Sequence, residues 1–143
     1  MNNQQKMLVQ ASFRNVVPIA DVAAALFYAR LFELDPSLRP LFRGDLEAQG
    51  RKLMHMLSVA VRGLDNLDRL VPNVQALGRR HVGYGVTAAH YATVGEALLW
   101  TLEQGLGEDF TPSVREAWTA VYTALAEVMQ QAAAEVEVEE RAA

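Results

Sequence analysis

The stretch LVPNVQALGRRH, residues 70–81, places Leu70, Val74, Leu77 and His81 three or four residues apart, on one stripe of a helix. Arg79 and Arg80 fall elsewhere around that helix, so His81 occupies a face where a further aliphatic residue would fit. Burial favours the neutral form of an imidazole, and a neutral imidazole either ligates a metal or takes a hydrogen-bond partner. Periodicity leaves two readings of His81 open: a core histidine satisfied by a backbone carbonyl, or a metal ligand.

Working outward, the chain reads as helices separated by proline, glycine and aspartate, with no period-two alternation of the kind that marks strands. A first helix is predicted over residues 4–16, ahead of Pro18, and a second over 21–34, stopped by Asp35-Pro36. A short irregular helix over 36–42 and a long one over 46–62 follow, the latter with Leu53, Met56, Leu57 and Ala60 on one face. After the 70–81 segment, Gly83 and Gly85 break the chain, and helices over 89–106 and 112–131 complete the count. Thr111 is placed to cap the last helix, with Pro112 in its first turn. The expectation is an all-α domain of seven or eight helices over residues 1–134. The acidic tail, 135–143, is expected to fray.

Composition narrows the function. The 143 residues fit one domain, and a chain of this size buries roughly 70% of its unfolded surface, enough for a core with an internal pocket. The absence of cysteine excludes disulfides, thiolate zinc sites, iron–sulfur clusters and thioether-attached haem. A net charge of -4, with no basic cluster beyond pairs such as Arg51-Lys52 and Arg79-Arg80, argues against a nucleic-acid partner. The polar start has no secretory pattern, and no run is read as approaching the roughly 18–20 apolar residues of a membrane span, so a cytoplasmic protein with no membrane partner is expected. His55 is expected to face solvent and His90 to cap the helix that follows it. Neither pairs with His81 at ligand spacing, so a zinc site of the usual ligand count is not expected. There is no G-x-S-x-G elbow and no phosphate-binding glycine loop.

From residue 13 to residue 129 the chain resembles the globin family, in particular single-domain bacterial haemoglobins, flavohaemoglobin haem domains and neuroglobin-like proteins. The resemblance lies in an ordered series of short pieces. These are Leu31-Phe32-Glu33-Leu34-Asp35-Pro36, Leu38-Arg39-Pro40-Leu41-Phe42 and Arg51-Lys52-Leu53-Met54, then Leu77-Gly78-Arg79-Arg80-His81 and Tyr84-Gly85-Val86. His90-Tyr91, Val94-Gly95-Glu96-Ala97-Leu98 and Ala117-Trp118-Thr119-Ala120-Val121-Tyr122 complete it. It implies a globin fold around haem b, with His81 as the axial ligand to iron and Phe42 wedged against the haem face. Gln49 takes the position over the sixth coordination site, Leu53 packs one turn later, and Tyr28 enters the same space from the second helix. Val86 and Val94 line the haem, Tyr91 stands near the axial histidine, and Lys52 either pairs with a propionate or is an ordinary exposed lysine. Leu77, Leu98, Trp118 and Leu125 are expected to be plain core.

One position departs from the pattern. Flavohaemoglobins carry a glutamate in the last helix that bonds the axial histidine; here that register falls on Ala133, and Glu127 and Glu135 are out of step. His81 is therefore expected to donate to a backbone carbonyl such as that of Leu77. The resemblance implies reversible binding of oxygen or other diatomic gases at ferrous iron, with Tyr28 and Gln49 as hydrogen-bond donors to the bound gas. The sixth site is expected to be open in the ferrous state, since position 49 is glutamine rather than histidine. The alternative is a nitric oxide dioxygenase served by a separate reductase. A haem-free globin acting as an interaction module is the third class, and His81, Phe42 and Gln49 together argue against it. Nothing in the sequence assigns an oligomeric state.

Overall fold

Proline and capping residues set the helix boundaries. Asn2 accepts from the backbone N–H of Gln5 at 2.8 Å and opens α1, Asn3–Val16. Pro18 then admits only a 3₁₀ turn, Val17–Ile19, before α2, Ala20–Leu34. Asp35 accepts from Ser37 N–H and starts a second 3₁₀ segment, Pro36–Leu41. Asp45 accepts from Glu47 N–H at 2.9 Å and opens α3, Leu46–Gly63. After α4, Leu67–Gly83, comes α5, Ala88–Leu106, where His90 Nδ1 accepts from Thr87 N–H at 3.0 Å, the capping role expected of it. A 3₁₀ turn, Gly107–Asp109, leads to α6, Pro112–Ala142, where Thr111 accepts from Val114 N–H.

The structure is a computed structural model that describes the backbone of residues 1–142 and the side chains of residues 1–138. Among the described residues there are six α-helices, three 3₁₀ segments and no strand. The fold is the expected all-α one, and the count differs for a local reason. The prolines at 18 and 36 leave connectors too short or too restricted for α turns, and these wind as 3₁₀ instead. The last helix also runs on past residue 131, where the sequence reading ended it. Ala132, Ala133 and Ala134 carry the helix forward with the most favourable propensity of any residue, into the segment expected to fray; residue 143 and the side chains from 139 onward lie outside the described residues.

The segment Asn3–Leu34 is apolar enough over an 18-residue window to pass a length-and-composition test for crossing a membrane, contrary to the reading of the sequence. It is two helices of 14 and 15 residues on either side of the Val17–Ile19 turn, each shorter than the roughly 20 residues a span needs. Its apolar side chains serve the core instead: Val9, Phe13, Phe27, Tyr28 and Leu31 are buried.

The core draws buried residues from all six helices, among them Val9, Phe27, Val61, Val74, Leu98 and Trp118. Trp118 is buried there, and its Nε1 donates to Ser12 Oγ at 2.8 Å, while Ser12 Oγ donates to the Leu8 carbonyl at 2.7 Å. Two close approaches fix the helices around the site. A Cβ on Gly50 would lie 2.9 Å from Ala24 Cβ, so α3 crosses α2 tightly at that point. A Cβ on Gly78 would lie 2.6 Å from Met129 Cα and 2.8 Å from its carbonyl carbon, so α4 lies directly on the backbone of α6. Backbone atoms cannot rotate away, as a side chain can. Gly78→Ala is therefore expected to lower stability by about 1–3 kcal/mol through overpacking, despite alanine's better helix propensity. Gly83→Ala, in the same helix with nothing within 4 Å, is expected to stay within about 0.5 kcal/mol of the parent. Denaturant unfolding of the two variants checks both.

Candidate functional site

Helix α3 carries a broad apolar face that the protein does not close. Leu53, Met54, Met56, Leu57, Val59 and Ala60 are only half-buried, and in the whole helix only Gly50 and Val61 are fully buried. The last turns of α4 show the same pattern, with Leu77, His81 and Val82 half-buried. These two half-buried apolar faces, on α3 and on the end of α4, are the walls of the candidate crevice.

His81 stands in the last turn of α4. Its Nδ1 lies 2.7 Å from the carbonyl of Leu77, the partner expected from sequence. A carbonyl only accepts, so Nδ1 carries the proton and Nε2 keeps its lone pair, an assignment made from the hydrogen bond. Burial depresses the His81 pKa, the Leu77 carbonyl opposes that shift, and the charge of Arg80 adds to it. The imidazole is thus neutral at neutral pH, as a ligand must be. The Tyr84 ring meets it edge-on, with centroids 5.5 Å apart.

Across the crevice, the α2–α3 crossing at Ala24 and Gly50 brings Tyr28, one turn on from Ala24, towards Gln49, the neighbour of Gly50. Tyr28 is buried, and burial raises its pKa, with the Gln49 side chain as a hydrogen-bonding neighbour that partly offsets the rise. The two polar ends are within reach of each other without forming a well-aligned bond. Phe42 closes the group: its ring lies 5.3 Å from Tyr28 and 5.5 Å from Phe32, both edge-on. Arg39 fixes Phe42 by donating to its carbonyl at 3.0 Å. Leu53 reaches the same region and, with Phe27, Met54, Leu57, Leu98 and Trp118, lines an apolar void of about 20 Å³.

The remaining predicted residues divide. Val86 N–H donates to the His81 carbonyl at 3.2 Å, which ties the α4–α5 corner to the histidine; Val86 and Val94 are half-buried. Tyr91 is buried, and its hydroxyl has no hydrogen-bond partner. Lys52 is exposed and makes no ion pair, and His55 is exposed as expected. Sequence reasoning missed Tyr122, which donates to the Tyr91 carbonyl at 2.6 Å with its ring against Gly95, where a Cβ would be 2.8 Å away. Tyr122 ends the family-like stretch 117–122, but nothing in one sequence pairs it with Tyr91.

The donor set fits haem. Among the described residues no three His, Asp or Glu side chains converge to hold a bare ion, so a metal bound at His81 has to bring its other ligands. Iron in a porphyrin does so, and needs apolar walls and one imidazole lone pair from the protein. The half-buried face of α3, the free Nε2 and the unpartnered Tyr91 hydroxyl are the features such a group would use.

The depressed His81 pKa gives a pH test on the protein without haem. The unfolded chain binds a proton near pH 6.5 and the folded chain only at lower pH, so between the two the unfolded state holds more protons. Stability is expected to rise with pH up to about 6.5 and to fall below it. His81→Gln should flatten that acid limb; an unchanged limb in the variant would mean that His81 is not buried neutral.

Comparison with known proteins identifies the fold and the family. The Globin family model matches residues 25–129. Neuroglobin of Danio rerio is 32% identical over 90% of both chains, and Neuroglobin-1 of Oncorhynchus mykiss is 29% identical over 92% of this chain and 91% of that one. An engineered carbene transferase derived from a putative nitric oxide dioxygenase of Rhodothermus marinus superposes with a TM-score of 0.89, at 30% identity over 99% of each chain. A hexacoordinated heme protein from an anhydrobiotic tardigrade shares the fold, with a TM-score of 0.84 at 18% identity over 93% of this chain and 95% of that one. The chain belongs to the globin family.

Proposed function

We propose that this globin binds haem b through His81 Nε2 and binds oxygen reversibly on the opposite side, for storage, delivery or scavenging. The observation that carries the reading is the 2.7 Å bond from His81 Nδ1 to the Leu77 carbonyl, which leaves one lone pair aimed away from the helix. Haem, when bound, would supply ferrous iron as the site for a diatomic gas, and oxygen held there would draw negative charge and accept hydrogen bonds. Phe42 would hold the group from the corner after the 3₁₀ segment, and the half-buried Val86 and Val94 would line it. The exposed Lys52 ammonium would be available to a propionate.

Tyr28 and Gln49 act on the gas. Burial keeps the Tyr28 hydroxyl protonated, so it is a donor at every physiological pH, and the Gln49 amide offers a second N–H. Hydrogen bonds to a charged acceptor contribute about 1.5–3 kcal/mol each, enough to slow escape of the gas substantially. Glutamine at position 49 supplies no imidazole, which supports an open sixth site in the ferrous state. A nitric oxide dioxygenase activity served by a separate reductase is the second reading, favoured by the likeness to the Rhodothermus marinus protein. Turnover with nitric oxide and a reductase separates the two.

Titration of the purified chain with hemin is expected to give a Soret band at one equivalent. His81→Ala should lose most of its haem, or hold haem whose axial site added imidazole fills. Unchanged haem content and spectrum in that variant would move the ligand elsewhere, with His55 the next histidine to test.

Tyr28→Phe removes one donor with little change in volume. Its oxygen dissociation rate is expected to rise about tenfold or more, since about 1.4 kcal/mol corresponds to a factor of ten. Carbon monoxide develops far less charge, so its dissociation should change much less. Gln49→Leu should act in the same direction, and the double variant should be non-additive because the two side chains adjoin. Stopped-flow rates that are equal in Tyr28→Phe and the parent would reduce Tyr28 to a packing residue.

A further inference from the structure

Three aromatic rings of the candidate site form a closed triangle. The Tyr28 ring lies 5.3 Å from Phe42 and 6.1 Å from Phe32, and Phe32 lies 5.5 Å from Phe42. Each ring touches the other two, so none of them shifts without displacing its neighbours. Tyr28 is buried, whereas Phe32 and Phe42 are half-buried and reach towards solvent.

One exposed side chain holds two of these rings. The Arg39 guanidinium stands over Phe32, 5.4 Å from its centroid, and Nη1 donates to the Phe42 carbonyl at 3.0 Å. The Arg39 carbonyl in turn accepts from Phe42 N–H at 3.1 Å. Both backbone groups of Phe42 are thus held by the same residue. The chain around them offers little other support. Pro40 has no N–H to give to the Ser37 carbonyl, and Phe42 leaves the 3₁₀ segment extended, with φ -102° and ψ 94°. Gly44 then turns the chain at a φ of 107°, and α3 begins only at Leu46. No carboxylate competes for the guanidinium, since the one ion pair among the described residues is Arg30–Glu33.

We infer that Arg39 is a positioning residue: from the solvent side it clamps the Phe42 ring against which haem would pack and, through Phe32, fixes where the Tyr28 hydroxyl stands. The inference deepens the haem reading above and rests on it. Release of the clamp has two consequences. It loosens an apolar contact that retains the group, and it moves the Tyr28 donor relative to a bound gas. Arginine suits this role because its planar fork lies on an aromatic face while donating at its edge, whereas a lysine ammonium donates from a point. Arg43, also exposed and next to Phe42, has no ring or hydrogen-bond partner for its side chain among the described residues.

Three variants test it. Arg39→Met keeps the stem and removes the guanidinium, Arg39→Lys restores the charge and a donor, and Arg43→Met makes the same change in charge one residue beyond Phe42. Hemin transfer from the loaded protein to excess apomyoglobin is expected to speed up about fivefold or more in Arg39→Met, as loss of one exposed cation–π contact and one hydrogen bond allows. Arg39→Lys should recover part of that, and Arg43→Met should match the parent. A residue that only stabilised the fold would lower the urea midpoint of the haem-free chain and speed the escape of every ligand alike. The expected result is an unchanged midpoint, with oxygen dissociation about threefold faster or more and carbon monoxide dissociation unchanged. In the haem-free chain, hydrogen exchange at Phe42 N–H should quicken in Arg39→Met, while Leu38 N–H, bonded to the Asp35 carbonyl at 3.1 Å, keeps its rate. Hemin transfer equal to the parent in Arg39→Met, equal effects of Arg39→Met and Arg43→Met, or a lowered midpoint with both gases affected alike would overturn the clamp. Absence of a Soret band in the parent would instead defeat the haem reading. Exchange at Phe42 then decides the clamp by itself, an unchanged rate in Arg39→Met overturning it, so the two failures are told apart.

Discussion

The carbonyl of Leu77 has two lone pairs, and one of them holds His81 Nδ1 at 2.7 Å. Everything proposed for the crevice depends on that bond. It selects the tautomer, orients the ring and leaves Nε2 as the outward-facing base. Its carbonyl can serve only if α4 lies at a fixed depth, and Gly78, the next residue, sets that depth by resting on the backbone of Met129. Burial then keeps the ring neutral, with Arg80 adding to the same effect. A helix-packing contact and a protonation state are thus linked through one residue step.

The opposite wall is built by the same device. Gly50 lets α3 cross α2 at Ala24, and that crossing places Gln49 and Tyr28 side by side. The cost is an apolar α3 face left half in water, at about 25 cal/mol for each Å² not buried. A helix so amphipathic gains nothing from that exposure unless a large apolar group covers it. The unpartnered Tyr91 hydroxyl is a second such cost, since a buried donor without an acceptor forfeits about 1–3 kcal/mol.

Much of this was legible in the residues. Asp35-Pro36 ended α2 where expected, Thr111-Pro112 opened the last helix, and His90 capped α5, because capping and proline sterics are local. The periodicity of Leu70, Val74, Leu77 and His81 gave the histidine its face, and the missing glutamate at Ala133 pointed to the carbonyl that holds it. The close approaches at Gly50 and Gly78 were not legible, because each needs a partner distant in sequence to give the glycine its meaning. Tyr122 escaped for the same reason. The reach of α6 beyond residue 131 was missed because repelling glutamates suggest fraying, while the alanines before them favour the helix. For Lys52 the sequence offered two readings, and its exposed, unpaired position is compatible with both.

The claim that everything else serves is ligation of iron by His81 Nε2 with Nδ1 held by Leu77. A crystal structure of the haem-loaded protein measures it directly. The account predicts His81 Nε2 at bonding distance from iron, with the bond from Nδ1 to the Leu77 carbonyl kept near 2.7 Å. Iron bound by His55, or a His81 ring turned so that Nδ1 faces the metal, would contradict it.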